Sequence, residues 1–188
     1  MKKKGVIIGV IVLVIVIIAG AFIGGYNGLV EKQTAVEQKY SDIQVQLQRR
    51  ADLIPNFVNT VKGYTDYEQE TLTAVTQARS AVNNATDAKA LSDANDQLDK
   101  SISIWVNAVT EAYPDLKANT QYVALQDELA GTENRVAVAR KDYNDAATTY
   151  NKSVRSFPTS ILAGMFGFEK SELFSASSSA QEAPTVSF

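Results

Sequence analysis

Arginines and amides crowd two short stretches of this sequence, and their side chains are the best equipped in it for recognition. Arg49, Arg50, Asp52, Asn56, Asn59 and Lys62 form the first group, and Glu133, Asn134, Arg135 and Arg140 the second. Guanidinium and amide groups at such density suit a partner protein or a lipid head group, because the guanidinium fork pairs with carboxylate or phosphate in a fixed geometry. The plainer reading is that these side chains satisfy one another and the backbone groups that Pro55 frees. A third group, Asp66, Glu68 and Glu70, could ligate a divalent metal. However, a di-iron bundle draws on Glu-x-x-His pairs and the sequence has no histidine, so a solvated acidic face is expected there and no cofactor.

The absences narrow the chemistry further. Without cysteine there is no disulfide, thiolate nucleophile or CxxC zinc site. Lack of histidine removes the commonest general base and the side chain that titrates near neutral pH. No catalytic arrangement emerges from the remaining carboxylates, lysines, tyrosines and hydroxyls, and the expectation is a protein that is not an enzyme. A formal charge of -3, with lysines and arginines not clustered along a stripe, gives no footprint for nucleic acid.

The elements that must position these groups begin with an apolar run. Lys2, Lys3 and Lys4 precede Val6–Ile23, an uninterrupted stretch of apolar residues and glycine long enough to cross the ~30 Å hydrocarbon core as a helix. A cleaved secretory signal, cut near Ala19-Gly20-Ala21, is the alternative, but the run continues past that point to Ile23. The lysines before the run, against mixed charge after it, predict a cytoplasmic N-terminus with the rest of the chain outside.

Beyond the run, apolar residues recur in steps of three and four: Leu29, Val36, Tyr40, Ile43, Leu47, Ile54, Phe57, Val61, Tyr64, Leu72, Val75 and Val82. That is one buried helical face. Pro55 interrupts it, and the helix must bend or stop there. The turn-rich NNATDAK at 83–89 ends the section. A further helix is expected over 87–113, with Leu91, Leu98, Ile102, Trp105 and Val109 inward and Pro114 at its end. The last long helix, over 116–156, places Tyr122, Leu129, Val136, Tyr143, Tyr150 and Phe157 at intervals of seven. Beside them runs a smaller series, Leu125, Thr132, Ala139, Ala146 and Ser153, which would let neighbours approach closely. The tyrosines are expected to pack in the core with hydroxyls at its edge.

The segments VQLQRRADLIPNFVNTVKGY (45–64), YPDLKAN (113–119), ELAGTENRVAVARKDYN (128–144), YN at 150–151 and FP…FGF (157–168) together resemble the LemA family of bacterial membrane proteins. The resemblance covers nearly the whole chain after the apolar run. It implies an all-α fold: an N-terminal transmembrane helix followed by an antiparallel up-and-down four-helix bundle. It also implies a corner at Pro55, hence helices over about 26–53, 56–83, 88–113 and 116–156, although the heptad register runs straight through LIPN and a kinked continuous helix is the alternative. Phe57 and Tyr67 depart from the family pattern, which has leucine and histidine there. The second departure argues against essential histidine chemistry at that position.

The expected layout is a tail and transmembrane helix at 1–25, a bundle at 26–157, an apolar segment at 158–174 and a disordered tail at 175–188. The apolar segment carries Ile161, Leu162, Met165, Phe166 and Phe168 between Arg155 and Lys170. It either dips into the membrane interface or caps the bundle's open end. The expected partners are the bilayer, through residues 6–23, and either a second copy of the chain or another envelope protein. The leading reading is a membrane-anchored scaffold or adaptor; a ligand-binding sensor of the cell envelope is the alternative.

Overall fold

A computed structural model describes residues 2–62 and 69–174. Asp66, Tyr67, Glu68 and Tyr64, together with the small polar tail from Ser175, lie outside the described residues. Every regular element among the described residues is helical: α1 (Lys2–Lys62), α2 (Gln69–Asn84), α3 (Ala88–Ala112), a 3-10 turn (Pro114–Ala118), α4 (Thr120–Arg155) and α5 (Thr159–Phe166). Their contacts fall into two units, Met1–Gln38 with Asp145–Ser171, and Lys39–Asn144 with Glu172–Phe188. Both α1 and α4 contribute residues to each.

The corner expected at Pro55 is absent: α1 is one unbroken helix from Lys2 to Lys62. An interior proline costs about 3 kcal/mol through a lost hydrogen bond and a clash with the preceding turn. The face that crosses it is worth more. Ala51, Ile54, Phe57 and Val61 are all buried, at 4% exposure or less, and each large apolar side chain among them contributes about 1.5–3 kcal/mol on burial. The straight heptad register therefore prevails over the proline. The second helix accordingly starts at Gln69 instead of 56 and ends at Asn84.

In the second unit, α3 begins where Asp87 accepts a hydrogen bond from the Ala90 amide (2.7 Å), and it buries Leu91, Leu98, Ile102, Trp105 and Val109 as the spacing predicts. Its partners can be followed residue by residue. Phe57 meets Trp105 edge-on at 5.1 Å and Tyr122 at 5.1 Å. Arg50 pairs with Asp99 and Glu133, and Lys39 with Asp142 at 3.4 Å. Contact positions thus rise together along α1 and α3 and fall along α4. The last long helix starts at Thr120, four residues later than expected from the spacing. Pro114 opens a 3-10 turn, and the Asn119 carboxamide then accepts from the amides of Gln121 and Tyr122, both at 2.9 Å, capping α4.

Along α4, Tyr122, Leu129, Val136, Tyr143 and Tyr150 are buried, each at 5% exposure or less. Phe157 breaks the series at 83% exposed: α4 ends at Arg155, so position 157 no longer lies on its face. Of the small series, Thr132 is fully buried whereas Leu125, Ala139, Ala146 and Ser153 are half-buried. Ala147, which the seven-residue spacing missed, is fully buried as well.

In the first unit, the large hydrophobics of α1 from Val6 to Ile18 are each between 47% and 67% exposed, with no cover among the described residues. The helix is long and apolar enough to cross a membrane, with a stretch of mean hydropathy 3.4. Just beyond it, Leu29 packs with Leu162 and Ala163 of α5, joined by Val154 and Phe168.

Candidate functional site

The arginines, read from sequence as either a recognition surface or a mutually satisfied polar cluster, sort into a buried tier and a surface tier. Arg50 is 2% exposed. Its guanidinium lies against Asp99 at 2.5 Å and within 3.7 Å of Glu133. The Arg50–Asp99 approach is an ion pair without hydrogen-bond alignment, so Arg50 Nε and Nη1 and Asp99 Oδ1 are buried without a hydrogen-bond partner. Asn95, also buried, donates to the other Asp99 oxygen at 3.1 Å. Burial pushes the Asp99 carboxyl above its ordinary value of 3.8, against the downward pull of Arg50.

Arg49, one position along, points to the surface and donates to Glu128 Oε1 at 2.8 Å; Arg135 donates to the same oxygen at 2.9 Å. Arg140 bridges to α3, donating to Asp96 Oδ1 (3.2 Å), Ser92 Oγ (2.9 Å) and the Ser92 carbonyl (3.2 Å). Arg49, Arg50, Arg135 and Arg140 are therefore each engaged by a carboxylate of this chain. Asp52 accepts from Gln48 of its own helix at 2.8 Å. Lys62 is exposed at the end of α1.

Asn56 and Asn59 line an open groove of about 550 Å³ with Thr60, Gln121, Ala124 and Leu125. Asn134 and Arg135 line a second one, of about 460 Å³, with Asp42, Val45, Gln46, Val138, Ala139 and Asp142. Val45 and Val138 are 64% and 61% exposed there. Among the described residues no group of three or more carboxylates is placed to hold a metal ion. The Glu70 side chain and the acidic residues before α2 lie outside them.

Sequence reasoning missed the acceptors on α3. Ser92, Asn95, Asp96 and Asp99 step by three and four beside the apolar face of Leu91 and Leu98, and that polar edge is what the arginines meet. It also missed two clasps on α4. The Asn144 carboxamide donates to the Phe174 carbonyl and accepts from the Phe174 amide, both at 2.9 Å. Asn151 does the same with Ser171, at 2.8 and 2.9 Å. Tyr143 donates to the Glu172 carbonyl at 2.8 Å. Phe174 is buried edge-on to Tyr143, with the Arg140 guanidinium 5.4 Å over its ring. The repeated dipeptide Tyr-Asn at 143–144 and 150–151, seven apart, was the available signal.

The expected interfacial residues divide between two roles. Leu162 is buried and Phe168 half-buried against α1, whereas Ile161, Met165 and Phe166 are 54%, 64% and 52% exposed.

An all-helical fold with open surface grooves and, among the described residues, one helix long and apolar enough to cross a membrane defines the class: a helical protein whose apolar helix is compatible with a membrane anchor. Residues 39–188 match the LemA family, and the chain belongs to that family. It is 30% identical over 167 residues to the Protein LemA of Metamycoplasma hominis, a match covering 88% of this chain and 76% of the relative. Two magnetosome proteins of Paramagnetospirillum magneticum, MamQ 1 and MamQ 2, are each 26% identical over 188 residues, covering 87% of this chain and 69% of the relative.

Proposed function

We propose that this protein is a non-enzymatic scaffold or adaptor of the cell envelope. In this reading residues 6–23 span the bilayer with the N-terminus in the cytoplasm, and α1 continues into an antiparallel up-and-down four-helix bundle with α2, α3 and α4 on the outer side. Contact positions that rise along α1 and α3 and fall along α4 support that topology.

The observation that carries the functional reading is the groove around Val45 and Val138. Large side chains fill the interior of the second unit: Leu47, Phe57, Leu98 and Tyr122 are each at 1% exposure or less. The groove instead opens outward, with two exposed valines between Asp42, Asp142 and Arg135. An apolar floor with charged edges suits a protein surface better than a small molecule, which is held in an enclosed pocket. The arginine tiers act as internal struts for that surface, and its occupant is a second copy or another envelope protein.

Photocrosslinking residues placed at Val45, Val138 and, as a control, the exposed Gln77 would test this in intact membranes, with mass spectrometry of the products. Recurrent crosslinks from Val45 and Val138 to one defined surface, absent from Gln77, support docking there. The same scatter of products from all three positions would sink it.

A further inference from the structure

We infer that α5 is a second membrane-contacting element, an interfacial wedge whose outer face lies among lipid head groups and upper acyl chains beside the end of the apolar run. The inference deepens the membrane reading of residues 6–23 and does not depend on the scaffold role.

The packing of α5 fixes its depth along α1. A Cβ added at Gly25 would lie 2.7 Å from Leu162 Cδ1, so only glycine allows this close an approach without a shift. Leu162 and Ala163 are buried against Leu29. The Phe166 ring meets Tyr26 at 4.9 Å and Phe22 at 6.1 Å, and Phe168 meets Tyr26 at 5.6 Å. Phe22 belongs to the apolar run itself. The short helix is thereby held level with the last turn of the run and the first turn after it. Gly167 ends it at φ 75°, a left-handed conformation that favours glycine, and its turn brings Phe168 back onto Tyr26.

The other face has no cover among the described residues. Ile161 and Met165 stand one turn apart on α5 at 54% and 64% exposure, with Phe166 beside Met165 at 52%. In water these three side chains would present an apolar surface of a kind that soluble proteins limit. Phe166 joins that surface to Phe22 of the run and to Tyr26 just past it, so cover for the end of the run extends to it. Lys152 and Arg155 lie in the last turn of α4, and Lys170 follows the wedge beside Glu169. Exposed apolar side chains with aromatic rings beside them and long cationic side chains nearby in the chain suit an interfacial segment.

The absence of native cysteine makes the test clean. Full-length protein carrying a single nitroxide at Met165→Cys, Ile161→Cys, Ile15→Cys or Gln77→Cys would be reconstituted in phosphatidylethanolamine–phosphatidylglycerol vesicles. Collision rates would be measured with oxygen, which concentrates in lipid, and with a water-soluble nickel chelate. Labels at 161 and 165 should show an oxygen-to-chelate ratio several-fold above that at 77, approaching that at 15. Chelate access equal to that at 77 would overturn the wedge, as would shielding from both reagents, the mark of a protein occupant. A chelate-accessible label at 15 would remove the span and the wedge together, whereas failure at 161 and 165 alone would leave the span intact.

Discussion

Two stretches of α4 show how one helix serves two environments. Between Tyr122 and Tyr143 the seven-residue series of Tyr122, Leu129, Val136 and Tyr143 is buried, as are facing residues of α1 and α3. Their polar neighbours are drawn in as well: Thr132 is fully buried, and Arg140 reaches across to Ser92 and Asp96. Past Asp145 the inward face still holds Ala147 and Tyr150, but the chain that follows shields α1 over only a short length and turns its remaining apolar residues outward. In water, leaving Ile161, Met165 and Phe166 uncovered wastes burial worth about 25 cal/mol per Å² of apolar surface. Against lipid the same exposure has no such cost. The first region thus excludes water by packing, and in the proposed membrane reading the second hands its apolar face to a bilayer.

The contrast is most easily broken in the packed region. Phe57 is wholly buried between Trp105 and Tyr122, and Phe57→Ala should cost about 3–5 kcal/mol in urea unfolding. A loss under about 1 kcal/mol would mean that this stretch is not the tightly packed one.

Arg50→Met comes next. It removes the buried guanidinium and leaves Asp99 and Glu133 without their cation, at an expected cost of about 1–3 kcal/mol. Asp99 adds a pH signature. Its carboxyl binds a proton more tightly folded than unfolded, so as pH falls through the window just above its ordinary value the folded state takes up the proton first and gains stability. Asp99→Asn lacks that gain. The stability difference between wild type and Asp99→Asn should therefore move toward wild type as pH falls from neutral toward the ordinary carboxylate range; a constant difference would show that Asp99 is not perturbed by burial.

The asparagine clasps sharpen the comparison, because one belongs to each region. Asn144→Ala and Asn151→Ala each lose two backbone hydrogen bonds and should each cost about 1–2 kcal/mol. Amide exchange should rise at Phe174 in the first variant and at Ser171 in the second, and unchanged exchange would exclude the clasps. The smallest effect belongs to Arg49→Ala. Its exposed bond to Glu128 Oε1 is shared with Arg135, and the thermal midpoint should stay within the shift expected for less than about 0.5 kcal/mol.

Periodicity made most of the helical content legible, since the spacing of Leu91 to Val109 and of Tyr122 to Tyr150 named the residues that are buried. Pro55 misled because a proline's local penalty is visible in a sequence while the burial that offsets it at Ile54, Phe57 and Val61 is tertiary. The start of α4 was misplaced for a related reason: the Asn119 cap depends on a 3-10 turn that no period announces. Among the site residues, the arginines stood out by type but their acceptors did not. Asp96 and Asp99 look like any solvated helix face until Arg140 and Arg50 arrive from other helices. The strap at Ser171 to Phe174 has no regular structure of its own and is held by side chains to backbone, a pattern that leaves little trace beyond the repeated Tyr-Asn.

The central claim is that exposed apolar residues of this chain face two different solvents, and labelling from within the bilayer tests it most directly. Full-length protein in vesicles containing a photoactivatable acyl chain would be irradiated, digested and mapped by mass spectrometry. The account predicts adducts along residues 6–23 and at Ile161, Met165 and Phe166, with none at Val45, Val138 or Ile104, which are equally exposed. Adducts at α5 no more frequent than those at Val45 and Val138 would contradict it.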